Sequence, residues 1–284
     1  MRARWGLLLI GPLVFSTVLL IATQFVFLKA SFFADLGMGR VSTEFDFSNY
    51  VRIVRDSYYL HTLWLTTYIA LIVAACCIAF GFPIAYVLAR SASRWTTLLL
   101  STIVLSSFIT VVIQICGLII IFRADGPVNQ LLLALGMIER PFTLVGTVGG
   151  VVTGLVYSSF GFAVMLMYSV ARTIPVSLEE AAAVHGASRL RIFRRVVLPL
   201  CTPGLVVGFL TIFNLSMGAF TSAALLGGGR IITLPVLIQR TMLLDVKYGM
   251  AGALSAVLLI FVIVLNLISV AALRRFRVAK LVVS

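Results

Sequence analysis

The sequence predicts an all-α integral membrane protein with six transmembrane helices. Its 284 residues are 61% hydrophobic and only 11% charged, with a mean hydropathy of +1.15. That composition excludes a water-soluble globular domain. Six apolar runs each approach or exceed the roughly 20 residues needed to cross the hydrocarbon core of a bilayer. Every Asp, Glu, Lys and Arg falls outside them.

The first run, residues 6–28, follows Arg2 and Arg4 and carries no charge. It is too long for a signal-peptide core and no A-x-A site follows, so it reads as an uncleaved span. Gly11-Pro12 would kink it, which a membrane helix tolerates. Residues 29–60 form a mixed-charge segment in which Lys29, Arg40, Arg52 and Arg55 balance Asp35, Glu44, Asp46 and Asp56. His61 lies at the mouth of the next span and reads as an interfacial residue rather than a ligand.

The second span, residues 62–88, holds Gly81-Phe82-Pro83, a kink signal. Arg90 and Arg94 then precede a third span over residues 96–122. Gly126-Pro127 opens a short apolar piece, residues 128–135, which is too short to cross and is expected to lie at the outer surface. The fourth span, residues 145–171, carries Gly146, Gly149, Gly150, Gly154 and Gly161, small residues that let helix backbones approach. The fifth and sixth spans cover residues 200–226 and 249–273. Between them lie Gly227-Gly228-Gly229-Arg230 and a second short apolar piece, residues 234–244, broken by Pro235 and Arg240.

With the N-terminus inside, Arg2, Arg4, Arg90, Arg94, Arg172, Arg189, Arg191, Arg194, Arg195 and the tail's Arg274, Arg275, Arg277 and Lys280 all fall in the cytoplasm. The acidic residues fall outside, apart from Glu179 and Glu180. Basic residues resist translocation, so both termini are expected to be cytoplasmic. The net charge of +13 follows from this asymmetry and implies no nucleic acid partner.

The longest charged interruption is residues 177–203. Ser177 and Glu180 have the spacing of a capping box, which predicts a helix starting at Leu178. Glu179 and Glu180 would complement its dipole, and Ala181, Ala182 and Ala183 are strong helix formers. Gly186 suits a helix end with positive φ. Ser188 would cap a second short helix with Leu190, Phe193 and Val197 on one face, ended by Pro199 and Pro203.

Glu180-Ala181-Ala182, then Gly186, Val196 and Leu198-Pro199 at fixed intervals, resemble the EAA loop of the membrane subunits of binding-protein-dependent (type I) ABC importers. Val196 stands where that pattern has Ile. The resemblance implies the type I permease fold in a bacterial inner membrane, with the loop docking on a separate ATPase subunit. Its ATPase-coupling residues would be Glu179, Glu180, Ala181, Ala182, Gly186, Phe193, Leu198 and Pro199. Leu215-Ser216-Met217-Gly218-Ala219-Phe220-Thr221 and Tyr248-Gly249 with Ala251-Gly252-Ala253-Leu254-Ser255 resemble the spermidine/putrescine-type branch. The resemblance therefore divides the chain into an N-terminal helix (1–28), a periplasmic segment (29–60), a permease domain (61–273) and a basic tail (274–284). It implies a second permease subunit as a heterodimer partner, ATPase subunits, a periplasmic solute-binding protein and a polyamine-like solute.

The residues themselves point the same way on energy. The chain has no G-x4-G-K-[ST] loop, so ATP would be hydrolysed elsewhere. No charged residue lies within a span to couple protons or sodium, which weakens the alternative of a self-sufficient secondary transporter. Cys76, Cys77, Cys116 and Cys201 lack metal-ligand spacing, and His61 and His185 fall on opposite sides of the membrane. No catalytic site, metal or cofactor is expected. The substrate pathway is sought among polar residues of the spans: Gln114, Tyr157, Ser159, Asn214 and Ser216.

Overall fold

The computed structural model describes residues 2–37, 39–91, 93–106 and 108–282, with side chains for all of these except 2–9 and 272–282. The basic side chains assigned above to the extreme N-terminus and the tail therefore lie outside the described residues. The chain divides into two units, residues 1–63 with 234–264, and residues 64–233 with 265–284. Among the described residues, five helices are long and apolar enough to span a membrane, and a bent pair makes a sixth candidate.

The first unit contains α1 (Arg2–Ala30), a hairpin of β1 (Phe33–Gly37) and β2 (Arg40–Phe45), and α2 (Ser48–Arg55). It also takes in the start of α3 (Ser57–Arg90), α12 (Leu234–Leu243) and the first half of α13 (Tyr248–Val282). The hairpin was not anticipated in an all-α reading. Its strands pair antiparallel, Phe33 opposite Phe45 and Asp35 opposite Val41. Phe32 stacks on Phe45 with ring centroids 5.4 Å apart, and Asn49 donates from Nδ2 to the Phe33 carbonyl at 3.0 Å. Mixed charge hid this aromatic cluster from hydropathy.

The second unit holds the rest of α3, α4 (Arg94–Ser106), α5 (Val111–Ile121), α6 (Pro127–Ala134) and α7 (Val148–Arg172). After them come α8 (Val176–Val184), α9 (Arg189–Ile192), a π turn (Phe193–Val197), α10 (Leu198–Met217) and α11 (Thr221–Gly227). Thr147 caps α7, its hydroxyl accepting from the Gly150 N–H at 2.9 Å. The close helix packing expected of the glycine-rich helix holds for Gly154: a Cβ there would strike the Leu226 side chain and come within 3.1 Å of Ile115, whereas one on Gly150 would strike the Leu144 carbonyl in the loop leading into α7.

Two expected continuities change. The third span is not one straight helix, because α4 and α5 meet at 101°. Gln114 supports the break, donating from Nε2 to the Ser106 and Ile109 carbonyls at 3.0 and 3.2 Å and so satisfying acceptors that a bend leaves open. Conversely, the prolines expected to end the helix after Ser188 do not stop it. Helix runs without interruption from Arg189 to Met217. The π turn directly before Pro199, closed by the Leu198 N–H on the Phe193 carbonyl, widens the backbone where a proline ring would otherwise strike the preceding turn.

Buried residues of α3, α7, the loop and α10 form one core: Phe82, Ala85, Leu88, Val164, Met167, Ile174, Ile192, Val197 and Cys201. The 177–203 stretch is built on this core.

Candidate functional site

Helix α8 starts two residues earlier than the capping-box spacing predicts. Pro175 is its N-cap in extended conformation, and no side chain caps it. Proline fixes φ there and has no N–H to leave unpaired, so Ser177 falls inside the first turn and its hydroxyl is not needed. The far end matches expectation. Gly186 has φ of +77°, its N–H and that of Ala187 bond back to the Ala183 and Ala182 carbonyls, and the chain turns into α9.

The eight residues predicted for coupling divide into two sets. Glu180, Ala181, Gly186 and Pro199 are exposed, whereas Glu179, Ala182, Phe193 and Leu198 are partly buried against the core. Beside the exposed set stand apolar side chains that no described residue covers, Val184 at 85% and Leu190 at 60% exposure. Arg189, Arg191, Arg194 and Arg195 are also exposed. The result is an exposed apolar knob with a basic flank.

Glu179 points the other way. Its Oε1 accepts from Arg90 Nε at 2.7 Å and pairs with Arg90 Nη2 at 2.6 Å, while Oε2 accepts from the Tyr86 hydroxyl at 2.7 Å. Arg90 Nη2 also donates to the Ile174 carbonyl at 3.0 Å, in the linker leading into α8. Phe193 completes the contact, its ring centroid 5.2 Å from Tyr86 and 5.6 Å from Phe82.

The five span residues do not form a common polar cluster. Asn214 is matched with Asn266 by two reciprocal amide bonds of 3.0 Å, the mutual satisfaction that polar groups need in lipid. Gln114 spends its amide N–H groups on the α4–α5 break, and its Oε1 is buried without a partner. The Ser216 hydroxyl is likewise buried and unpartnered, Ser159 is half-buried and Tyr157 is exposed. None of the five lines the cavity of about 460 Å³ bordered by Phe122, Arg123, Asp125, Gly146 and Arg230.

Residues 62–278 match the family described as the inner membrane component of binding-protein-dependent transport systems. The chain belongs to this family. The permease is 32% identical over 228 residues to the spermidine/putrescine transport system permease protein PotB of Escherichia coli, covering 80% of this chain and 82% of that one. It is 25% identical over 260 residues to the sulfate transport system permease protein CysW of the same organism, covering 90% and 82%. Among solved structures it resembles a chain of a bacterial alginate ABC transporter bound to its pentasaccharide-loaded periplasmic protein, with a TM-score of 0.79 at 19% identity over 97% and 96% of the chains. The methionine transporter MetNI gives a TM-score of 0.61 at 17% identity, over 76% and 94%. The permease thus has the type I importer fold and is a multi-pass inner-membrane subunit, not the ATP-hydrolysing one. Membership sets aside the self-sufficient carrier.

Sequence reading missed the partners that orient the loop. Phe82, Tyr86 and Arg90 recur every four residues and so share one face of α3. An aromatic-aromatic-arginine stripe at a span end is a visible signal, but the kink at Pro83 drew the reading to the backbone instead.

Proposed function

We propose that the permease carries a polyamine or related amine across the membrane, with residues 177–203 docking on an ATPase subunit. It would work beside a second permease subunit and receive its solute from a periplasmic binding protein. The observation that supports docking is the exposed knob: Val184 and Leu190 present apolar surface in a polar loop, where nothing among the described residues covers them. Burial of apolar area is the usual source of association energy, and a basic rim steers an acidic partner. Glu180, Ala181 and Gly186 are exposed in the same loop.

The amine assignment rests on the spermidine/putrescine relative at 32% identity. No carboxylate is available in the spans to attract a cation, so recognition would fall to aromatic faces and hydroxyls. Gln114 and Ser216 are the candidates with buried hydrogen-bonding capacity still unspent. Alternating access would follow from the ATPase moving the loop and, through it, the helices.

The test is assembly and uptake with the cognate ATPase and periplasmic binding protein. Wild type is expected to retain the ATPase on purification and take up labelled spermidine in vesicles. Gly186→Asp, which forces a side chain into φ of +77°, and Glu180→Lys are expected to lose the ATPase while inserting normally. Retention by both variants with full transport sinks the docking role. Uptake of sulfate but not spermidine sinks the amine assignment alone.

A further inference from the structure

We propose that Arg90, Tyr86 and Glu179 form a clasp through which movement of the docking loop is transmitted to α3, making Glu179 a positioning residue and not part of the docking face. This rests on the docking reading above.

The neighbouring carboxylates divide the work by helix geometry. Consecutive residues point about 100° apart on a 3.6-residue helix, so Glu180 is exposed while Glu179 turns into the protein. There both carboxylate oxygens are engaged by donors of α3, and the Arg90 and Glu179 side chains are only 16% and 13% exposed. Charge-assisted hydrogen bonds of this kind are short and directional, and removing one partner leaves the other charge partly buried and unpaired. The other described ion pair, Arg123 with Asp125, is open to solvent at 62% and 72% and holds nothing comparable.

The stripe on α3 grips both halves of the loop. Arg90 and Tyr86 hold α8 by polar contacts, and Arg90 also holds the linker at the Ile174 carbonyl. Tyr86 and Phe82 hold the π turn through the Phe193 ring. The loop already continues covalently into α10 through unbroken helix. Helix α3 has no such connection: 85 residues of chain separate it from α8, so side-chain contact must carry any displacement between them. The clasp is its polar part, and it has the geometry to pass on pulling as well as pushing. Apolar packing alone resists compression better than separation, because dispersion contacts lack the directionality of hydrogen bonds.

The experiment uses the assembled transporter in vesicles, with ATP hydrolysis and solute uptake measured on the same preparation. Glu179→Gln and Arg90→Gln are each expected to keep the ATPase bound yet lower solute moved per ATP by about tenfold, the range typical of coupling between sites. The double variant is expected to be no worse than either single, because both break one linkage. Arg90→Lys, which keeps the charge with fewer donors, and Tyr86→Phe, which removes one hydroxyl, are expected to fall by about two- to fivefold on the same scale. These two milder variants carry the test if the glutamine variants do not accumulate. Unchanged solute per ATP in an intact complex overturns the clasp. Selective loss of the ATPase from Glu179→Gln also overturns it, by placing Glu179 on the docking face. If wild type itself retains no ATPase, the docking reading fails first.

Discussion

Asp35 shows how far apart in sequence two halves of a single contact can be. Its two carboxylate oxygens accept from the Gly249 and Met250 N–H groups, each at 2.8 Å, at the first turn of α13. Those N–H groups have no acceptor within the helix, and a negative charge there also opposes the helix dipole favourably. Gly249 permits the approach, since a Cβ there would strike the Phe33 carbonyl. Asp35→Ala is therefore expected to cost about 1–2 kcal/mol of stability, as other lost helix caps do. Asp35→Asn should recover part of it. The check is the thermal midpoint of the detergent-solubilised protein, and an unchanged midpoint in the alanine variant contradicts the cap. With 214 residues between the partners, no local pattern in the sequence announces this bond. The same limit explains Glu179. Helix α8 is alanine-rich and carries no clear apolar stripe, so the inward and outward faces of Glu179-Glu180 became distinguishable only once Arg90 was located.

At the scale of elements, length and hydropathy made the spans legible, while their bends depended on partners that hydropathy does not register. Pro12, Pro83 and Pro203 all sit inside helices, whereas the sharp break between α4 and α5 contains no proline and is supported by the Gln114 side chain. Packing between α7 and α10 is set by glycine. A Cβ on Gly204 would approach Val170 Cγ1 to 2.5 Å, and one on Gly208 would meet Met167 and Leu166. Gly204→Val and Gly208→Leu should thus force the helices apart at a cost of about 1–3 kcal/mol each, the usual penalty for overpacking. Gly117→Ala is the matched control, because nothing lies within 4 Å of the added methyl and a helix-interior alanine is favoured. Lower thermal midpoints for the first two and an equal or higher one for the third are expected. Equal midpoints for all three would mean that the α7–α10 contact is slack.

For the whole molecule, the sidedness of the 177–203 loop follows from charge, and the exposed loops allow it to be measured. Thirteen basic residues are assigned to the inner loops and ends, against nine outside, while seven of nine acidic residues fall outside. Insertion follows the basic residues of short loops and is nearly indifferent to acidic ones, so the five arginines between residues 172 and 195 weigh heavily for the cytoplasm. Placing that loop outside would require translocating those arginines, and would also place the apolar knob where a cytoplasmic ATPase could not meet it. His185 and Glu139 are exposed and lie in loops assigned to opposite sides. In a background with Cys76, Cys77, Cys116 and Cys201 replaced by alanine or serine, Glu139→Cys should react with a membrane-impermeant maleimide in intact spheroplasts. His185→Cys should react only after permeabilisation. The reverse pattern would invert every span at once and remove the proposed docking loop from the compartment that holds ATP, so a single labelling experiment tests the orientation on which the proposed coupling depends.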